Sequence, residues 1–289
     1  MAVFGGRRGG GKAYNAKYSK ALGQIYITNG SNEDDVKKIM GNLPDEMKRE
    51  GFTDRGSRAL KADLDAVNAL YSSSLEGKLG HFAVTKHKDG KDIEREYVNV
   101  GIRTEVPEGG VNKEGAPARE TMVFLSVPLR SQEGLNLVHK FVNAKFGEET
   151  KLSMFAQMGE VKANGQVYAN HTVGLSQNGE KVEAVYPLTL DEKKAIREKM
   201  KAEGEEPEDI AKAILKEEYK KTLPQIEVIT QRCEAYKAAR KAEHAEEAEN
   251  APKAAQAAEE EEAPGFMDDL GEEEAALPSA DQVAGADWD

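Results

Sequence analysis

The feature that most constrains the fold is a run of alternating apolar and polar residues between positions 94 and 186, which predicts several strands of one sheet. Within this run, residues 132–146 instead carry apolar side chains at helical spacing. The pair Asn178-Gly179 predicts a tight hairpin, because both central residues of a type I′ turn need positive φ. The predicted strands are residues 94–104, 119–127, 151–158, 166–176 and 181–186.

Helical spacing also occurs on both sides of these strands. Residues 58–75 place their apolar side chains on one stripe, and apolar periodicity of the same kind returns after residue 187. We expect Pro224 to begin a separate helix, because proline fits the first helical position. The predicted fold class is α+β, with a strand core over about residues 79–187 and flanking N- and C-terminal helices.

The strand face opposite the aliphatic residues carries one aromatic residue on each of four strands, with basic residues among them. Rings on one face can stack unpaired bases, and basic side chains can pair with phosphates. The alternative is a second hydrophobic core against the flanking helices. The strand residues predicted to contact nucleic acid are Arg95, Tyr97, Arg103, Arg119, Phe124, Lys151, Phe155 and Tyr168.

Residues 1–30 are rich in glycine and basic residues, and no acidic residue occurs before Glu33. A glycine-rich chain does not hold a fixed backbone alone, so this segment is predicted to be a flexible arm. Such an arm can follow a phosphate backbone and stack bases. The arm residues predicted to contact nucleic acid are Arg7, Arg8, Lys12, Tyr14, Lys17 and Tyr18.

The net charge of −12 is concentrated at one end of the chain. Residues 243–289 hold 16 of the 52 acidic residues but only one of the 40 basic residues. Residues 1–242 are therefore mildly basic, which is compatible with a nucleic-acid partner. Because residues 243–289 show no apolar periodicity, they are predicted to form a disordered acidic tail.

This tail also places apolar residues beside acidic ones, and it holds the sole tryptophan of the chain. Tryptophan is a frequent anchor in protein interfaces, so we expect the tail to bind partner proteins. The alternative is a solubilising tail that carries a tryptophan by chance. The residues predicted to bind a partner are Phe266, Asp268, Asp269, Leu270, Asp287, Trp288 and Asp289.

The residue patterns of catalytic and metal sites do not occur in the sequence. The five histidines and the single cysteine have no zinc-site spacing, and the motifs of serine hydrolases and zinc proteases are missing. His171 falls on the aliphatic side of its strand, so we predict a hydrogen-bonded core residue. We expect no enzyme activity, no catalytic residue, no metal site and no cofactor.

The cellular compartment is predicted from cysteine usage and hydropathy. A single cysteine, Cys233, cannot form an intramolecular disulfide and fits a reducing compartment. The sequence shows neither the apolar region of a signal peptide nor an apolar run of about 18 residues. We therefore expect a soluble protein in the cytoplasm, or in the host cell cytoplasm if the protein is viral.

A compact core of strands and one helix with outward aromatics, a basic glycine-rich start and an acidic tail with a terminal aromatic occur together here. In this combination the architecture of residues 79–289 resembles the single-stranded DNA-binding proteins of bacteriophage replication. The resemblance implies an OB-fold-like antiparallel barrel or sheet core and an acidic tail that recruits replication proteins. The chain departs from the bacterial pattern, which ends in Pro-Phe, because Trp288 is penultimate.

The expected function is sequence-independent binding of single-stranded DNA, which protects the strand and melts its secondary structure during DNA replication, recombination and repair. The expected partners are single-stranded DNA and, through the tail, replication, recombination or transcription proteins, with no membrane contact. The expected divisions are an arm (1–30), a binding domain (31–242) and a tail (243–289). Two alternatives stay open: an RNA-binding OB-fold module, because stacking does not select the sugar, and an acidic-tailed interaction scaffold without nucleic acid.

Overall fold

A computed structural model describes residues 13–44, 47, 51–88, 93–161 and 167–250 of the chain, and leaves out the side chains of residues 160, 161, 167, 168 and 246–250. The strands are β1 (Tyr14–Ser19), β2 (Gln24–Ile27), β3 (Tyr71–Ser72), β4 (Ser74–Lys88), β5 (Glu94–Pro107), β6 (Ala118–Pro128), β7 (Glu149–Val161), β8 (Val167–Gln177) and β9 (Glu180–Lys181). The α-helices are α1 (Glu33–Gly41), α2 (Asp54–Ala66), α3 (Gln132–Phe141), α4 (Leu190–Ala202) and α5 (Pro207–Asn250).

All nine strands belong to one sheet, with the order β3-β2-β1-β6-β5-β4-β7-β8-β9. The pairing of β1 with β6 is parallel, and the other pairings are antiparallel. The predicted α+β class agrees with this mixture of helices and strands. The sheet is open, with β3 and β9 at its edges, so the expected OB-fold barrel is not confirmed.

The longest strand, β4, pairs with two different neighbours along its length. Residues 74–78 pair with β7, and residues 78–88 pair with β5. Gly77 lies next to the point of exchange with φ of 149°, and a Cβ there would collide with the carbonyl oxygen of Arg103. Glycine is therefore required where β4 leaves one partner for the other.

The main core lies between one face of the central strands and helices α3 and α5. Its members are alternate residues of the strands, as the period-two pattern of β5 and β6 predicts. The rings of Phe82 on β4 and Phe141 on α3 stack at a centroid distance of 5.7 Å. Each such fully buried side chain contributes about 1.5–3 kcal/mol. The fully buried side chains include Phe82, Val98, Val100, Ile102, Val123, Leu125, Leu135, Val138 and Phe141.

Helix α5 runs unbroken through Pro224, so the prediction of a new helix at that residue is wrong. Thr222 and Ile229, on either side of the proline, are both 0% exposed. Because this packing holds both sides of the helix, it outweighs the hydrogen bond that proline removes. Further along α5, the buried Cys233 Sγ accepts a hydrogen bond from the Phe82 amide at 3.3 Å.

Four other expected boundaries differ from the structure, and one of them is the strand predicted over residues 181–186, because β9 ends at Lys181. The flexible arm is wrong for residues 14–27, because β1 and β2 belong to the sheet. Helix α2 ends at Ala66 rather than continuing to residue 75, and Asn68 follows with φ of 54°. Helix α5 continues through residues 243–250, which were predicted to be disordered. The turn at Asn178-Gly179 is confirmed, with φ of 51° and 84°.

Candidate nucleic-acid interface

The outer face of β4, β5 and β6 is the side opposite the buried aliphatic residues, and it carries two aromatic rings. Tyr97 on β5 is half-buried and lies in the register row of Thr85. Phe124 on β6 is half-buried and pairs with Gly101, which lies four residues after Tyr97 on β5. At about 3.3 Å per residue, the two rows lie roughly 13 Å apart along the strand. We call Tyr97 and Phe124 the platform.

Each platform ring has a histidine from β4 at its side. The rings of His81 and Phe124 lie 5.4 Å apart at 83°, and those of His87 and Tyr97 lie 5.8 Å apart at 59°. Each histidine therefore packs against one platform ring, with His81 nearly perpendicular to Phe124 and His87 tilted against Tyr97.

The polar residues between the two rings bond to one another across the strands. Asn99 Nδ2 donates to Thr85 Oγ1 at 2.7 Å, and Ser126 Oγ donates to Asn99 Oδ1. These bonds link β4, β5 and β6, running from Thr85 in the row of Tyr97 to Asn99 and Ser126 in the next row. Because these groups satisfy one another, they have little remaining capacity to read the edge of a base.

A cleft of about 380 Å³ opens at the end of the platform beyond Phe124. Lys78 of β4 and Arg103 of β5 lie on one side, and Lys237, Arg240 and Lys241 of α5 lie on the other. We call these five residues the basic cleft. The spacing of the three α5 residues, i, i+3 and i+4, puts them on one face of the helix. The remaining lining residues are Gly80, Met122, Tyr236 and His244.

Two contacts hold the last part of α5 beside the strands. The ring of Tyr236 stacks on Phe146 at a centroid distance of 6.0 Å. Lys237 Nζ donates a hydrogen bond to His81 Nδ1 at 2.7 Å. Burial, together with the neighbouring Lys237 ammonium, lowers the pKa of His81 below its ordinary value. The imidazole is therefore neutral at pH 7 and joins the platform to the basic cleft.

The structure brings together only part of the site that the sequence predicts. Tyr97, Phe124 and Arg103 lie on one face. Arg95 pairs in register with His87 at the far end of the same face. Lys17 of β1 pairs in register with Ser126 and is exposed, so it lies beside the platform.

Phe155 and Lys151 lie elsewhere on the sheet, on β7. Ser153, between them, pairs with Ser74, which lies seven residues before His81 on β4. This separation amounts to roughly 23 Å along the strand, so Phe155 cannot share a short segment of DNA with the platform. The prediction of a single surface with four aromatics is therefore wrong for Phe155.

Two of the predicted basic residues are paired with carboxylates. Lys151 Nζ lies 2.6 Å from Glu76 Oε1, and this contact lowers the pKa of Glu76. Arg119 lies 3.3 Å from Glu108. Tyr168 belongs to β8, but its side chain lies outside the described part of the structure.

The two predicted arm tyrosines face the core, so they do not form part of a base-stacking arm. Tyr14 is 8% exposed and packs in the main cluster. Tyr18 Oη lies 2.8 Å from His171 Nδ1, and burial raises the pKa of this tyrosine. His171 is hydrogen-bonded, as predicted, but it is only half-buried, so the prediction of a core residue is wrong.

The basic cleft was not predicted from the sequence. Lys237, Arg240 and Lys241 stand in a stretch with many charged residues, KAARKAEHAEE, which has the composition of a solvated helix face. The i, i+3, i+4 spacing of three cations, without a carboxylate among them, is the available signal. The other predicted contact residues lie outside the described part of the chain, and they are Arg7, Arg8, Lys12, Phe266, Asp268, Asp269, Leu270, Asp287, Trp288 and Asp289.

A second cluster of polar side chains is buried between α3, α4 and α5. Lys193 Nζ donates to Glu218 Oε1 at 2.7 Å, and His139 Nε2 lies 3.0 Å from Thr222 Oγ1. His139 and Glu218 are 0% and 1% exposed in their side chains. Burial, with a contribution from Lys193, lowers the pKa of His139 to about 4. This cluster joins the two C-terminal helices to the core.

Comparison of the chain with protein-family models, with curated proteins and with solved structures finds no match. Among the described residues, no group of three or more histidine, cysteine, aspartate or glutamate side chains could hold a metal ion. No helix in the described part of the chain is long and apolar enough to span a membrane.

Proposed function

We propose that this protein binds single-stranded DNA without sequence specificity. The observation that carries the proposal is the platform: Tyr97 and Phe124 stand on one face, roughly 13 Å apart, with basic side chains around them. Aromatic faces stack any base, and such stacking contributes about 1–3 kcal/mol per base. Bases in a duplex are already stacked and paired, so this surface favours unpaired strands.

The polar side chains beside and between the rings support the absence of sequence preference. Asn99, Thr85 and Ser126 bond to one another, so these three side chains have few donors and acceptors left for the bases. Discrimination between bases depends on such groups. The platform therefore selects for the single-stranded state and tolerates each of the four bases.

In the cell, binding of this kind would protect single strands and melt their secondary structure during replication, recombination and repair. Because the protein binds unpaired strands, it shifts the equilibrium between duplex and single strand by mass action. The acidic segment at the C-terminal end would recruit replication, recombination or transcription proteins. Its support is composition alone: clustered carboxylates and the sole tryptophan, Trp288.

An OB-fold-like core forms the structural part of this proposal. Its support is the short connection between β3 and β4, which is the single residue Ser73. On the two sides of this connection, β3 pairs with β2 and β4 pairs with β5. The strands therefore bend back toward one another. Ser73 also accepts a hydrogen bond from the Met154 amide at 2.8 Å, which keeps β7 close to this bend.

The test compares the binding of labelled oligo-dT, oligo-U and duplex DNA by fluorescence anisotropy. We expect tight binding to oligo-dT and weak binding to the duplex. Tyr97→Ala and Phe124→Ala should each weaken oligo-dT binding by about 5- to 150-fold, which corresponds to 1–3 kcal/mol. Phe155→Ala is the matched control, because its ring is also half-buried on a strand but lies far from the platform.

Thermal unfolding of each variant separates lost binding from lost folding. Equal affinity for duplex and single strand would contradict stacking, and so would equal effects of Phe155→Ala and Phe124→Ala. Tighter binding to oligo-U than to oligo-dT would assign the platform to RNA. No binding to any of the three would leave the protein-interaction scaffold as the function.

A further inference from the structure

We propose that the basic cleft holds the phosphodiester backbone of the strand whose bases stack on the platform. In this arrangement the last turns of α5 act as a phosphate clamp: Lys237, Arg240 and Lys241 close over the strand from the side opposite Lys78 and Arg103. The inference rests on the proposed function, because it assigns a second role within the same DNA site.

The charge of the basic cleft supports an anionic ligand. Three cations from one helix and two from neighbouring strands line a space of about 380 Å³. Among the described residues that line the cleft there is no carboxylate, and Glu149 Oε1 lies 3.9 Å from Lys78 Nζ. Because like charges held together repel, a bound polyanion would relieve the repulsion and release counterions.

The cleft is continuous with the platform. On β5, Gly101 lies in the row of Phe124 and His81, and Arg103, two residues further, lies in the row of Met122 and Lys78. The two rows are thus roughly 7 Å apart. A base stacked on Phe124 therefore places the adjoining sugar and phosphate at the mouth of the cleft.

The floor of the cleft leaves room for a chain to pass. Gly80 forms part of this floor, and a Cβ there would lie 3.0 Å from Met122 Cε. The absence of a side chain at Gly80 keeps the floor low between the strands and α5. His81, beside it, has its Nδ1 bonded to the Lys237 ammonium, so the imidazole holds this cation at the edge nearest the platform.

An acidic peptide, including the chain's own C-terminal segment, could also meet this charge. The continuity with the platform favours the nucleic-acid backbone, because a nucleic acid can fill the cleft and also stack a base on the adjoining ring, whereas a peptide carboxylate would compete through its charge alone. The experiment therefore needs a probe that has phosphodiesters without bases.

The probe is a labelled abasic oligodeoxynucleotide, compared with oligo-dT of equal length, both titrated with the full-length protein at several salt concentrations. The cleft variant K237Q/R240Q/K241Q removes two lysines and one arginine. Its matched control, K194Q/R197Q/K201Q on α4, removes the same residue types from an exposed helix. The platform variant is Y97A/F124A.

We expect the cleft variant to lose at least tenfold in affinity for the abasic strand and to flatten the salt slope for oligo-dT by about 2, since each phosphate contact contributes about 0.7 on single strands. The α4 control should leave both quantities unchanged. The platform variant should lose affinity for oligo-dT but keep its affinity for the abasic strand. This difference separates the two parts of the site.

The proposal is overturned if the cleft variant binds the abasic strand like wild type, if the α4 control loses as much, or if wild type does not bind the abasic strand. It is also overturned if a labelled probe bound in the cleft is displaced by a peptide of residues 259–289 and is not displaced by the abasic strand. Should the cleft variant be unfolded by circular dichroism, Lys78→Gln on the other wall provides the same test. One outcome would refute the platform and retain the clamp. In that outcome the protein binds the abasic strand, and the Y97A/F124A variant binds oligo-dT as tightly as wild type does.

Discussion

Lys237 of α5 donates a hydrogen bond to Nδ1 of His81 on β4, at 2.7 Å, and the ring of His81 packs nearly perpendicular to that of Phe124. One neutral imidazole thus contacts a cation and an aromatic ring that belong to different parts of the candidate site. The contact also fixes the protonation state of the histidine, because a protonated imidazole has no lone pair for the ammonium.

The first prediction is that binding of single-stranded DNA strengthens as the pH falls. In the free protein, burial and Lys237 hold the pKa of His81 low. A bound phosphate would compete for the ammonium and raise the pKa of His81, so DNA binding would take up a proton. By linkage, affinity should increase as the pH falls from about 7.5 to about 5.5.

His81→Gln should remove this pH dependence, whereas His139→Gln, a buried histidine far from the site in the fold, should retain it. Anisotropy titrations of oligo-dT at constant ionic strength measure both. A variant at position 81 with the wild-type pH dependence would show that the proton binds elsewhere.

The second prediction concerns stability in acid. Burial lowers the pKa of His139 to about 4, so the folded protein binds fewer protons at this residue than the unfolded chain. The contribution of neutral His139 to the free energy of unfolding is complete above about pH 6.5, and this contribution is lost progressively as the pH falls toward 4. Integrated over that window, it amounts to about 3 kcal/mol.

His139→Gln keeps an amide near Thr222 and does not titrate. Denaturant unfolding of wild type and variant between about pH 4 and about pH 7.5 should therefore show a steeper acid loss in wild type. Carboxylates elsewhere contribute equally to both proteins, so parallel curves would contradict the assignment.

The third prediction separates the core tyrosine from the platform tyrosine. Tyr14 is 8% exposed within the main cluster, so Tyr14→Ala should lower the free energy of unfolding by about 3 kcal/mol. Tyr97→Ala should cost much less stability and much more DNA affinity. Chemical denaturation and oligo-dT titration of both variants check this prediction. A Tyr14→Ala protein that is stable but binds DNA weakly would show that Tyr14 belongs to the binding site.

The fourth prediction concerns the acidic C-terminal segment. Deletion of residues 251–289 leaves α5 and the basic cleft complete. It should raise the affinity for single-stranded DNA severalfold, most at low salt, because a tethered polyanion competes at high effective concentration and salt screens it within about 10 Å at 0.1 M. Trp288→Ala removes no charge, so it should leave DNA affinity unchanged and weaken partner capture. Weaker DNA binding after the deletion would make the segment part of the site.

The central strands could be predicted because their signals are local. The alternation around Val98, Val100 and Ile102 fixes which face is buried, and positive φ at Asn178 and Gly179 requires those residue types. The same alternation correctly places Tyr97 and Phe124 opposite the core. These features depend on neighbours in the chain, which a sequence displays directly.

The remaining features depend on register and on distant partners. Alternation shows that Phe155 faces outward, but not that β4 changes partner at Gly77 and carries β7 away from the platform. Glycine-rich composition before residue 12 suggested flexibility for Tyr14, whose burial depends on β6, far along the chain. The cations of α5 form a cleft only together with Lys78 and Arg103, and no local sequence pattern connects these two residues to α5.

The parallel pairing of β1 with β6 has a consequence for the order of folding. It joins Tyr14 to Val123 and encloses more than a hundred residues. Closing so long a loop costs conformational entropy before the contacts between β1 and β6 can form and offset it. Folds with such distant pairings therefore form slowly. During synthesis β1 leaves the ribosome before β6 and must wait for it. We therefore expect the antiparallel hairpin of β4 and β5 to form early, and β1 to be among the last strands to dock.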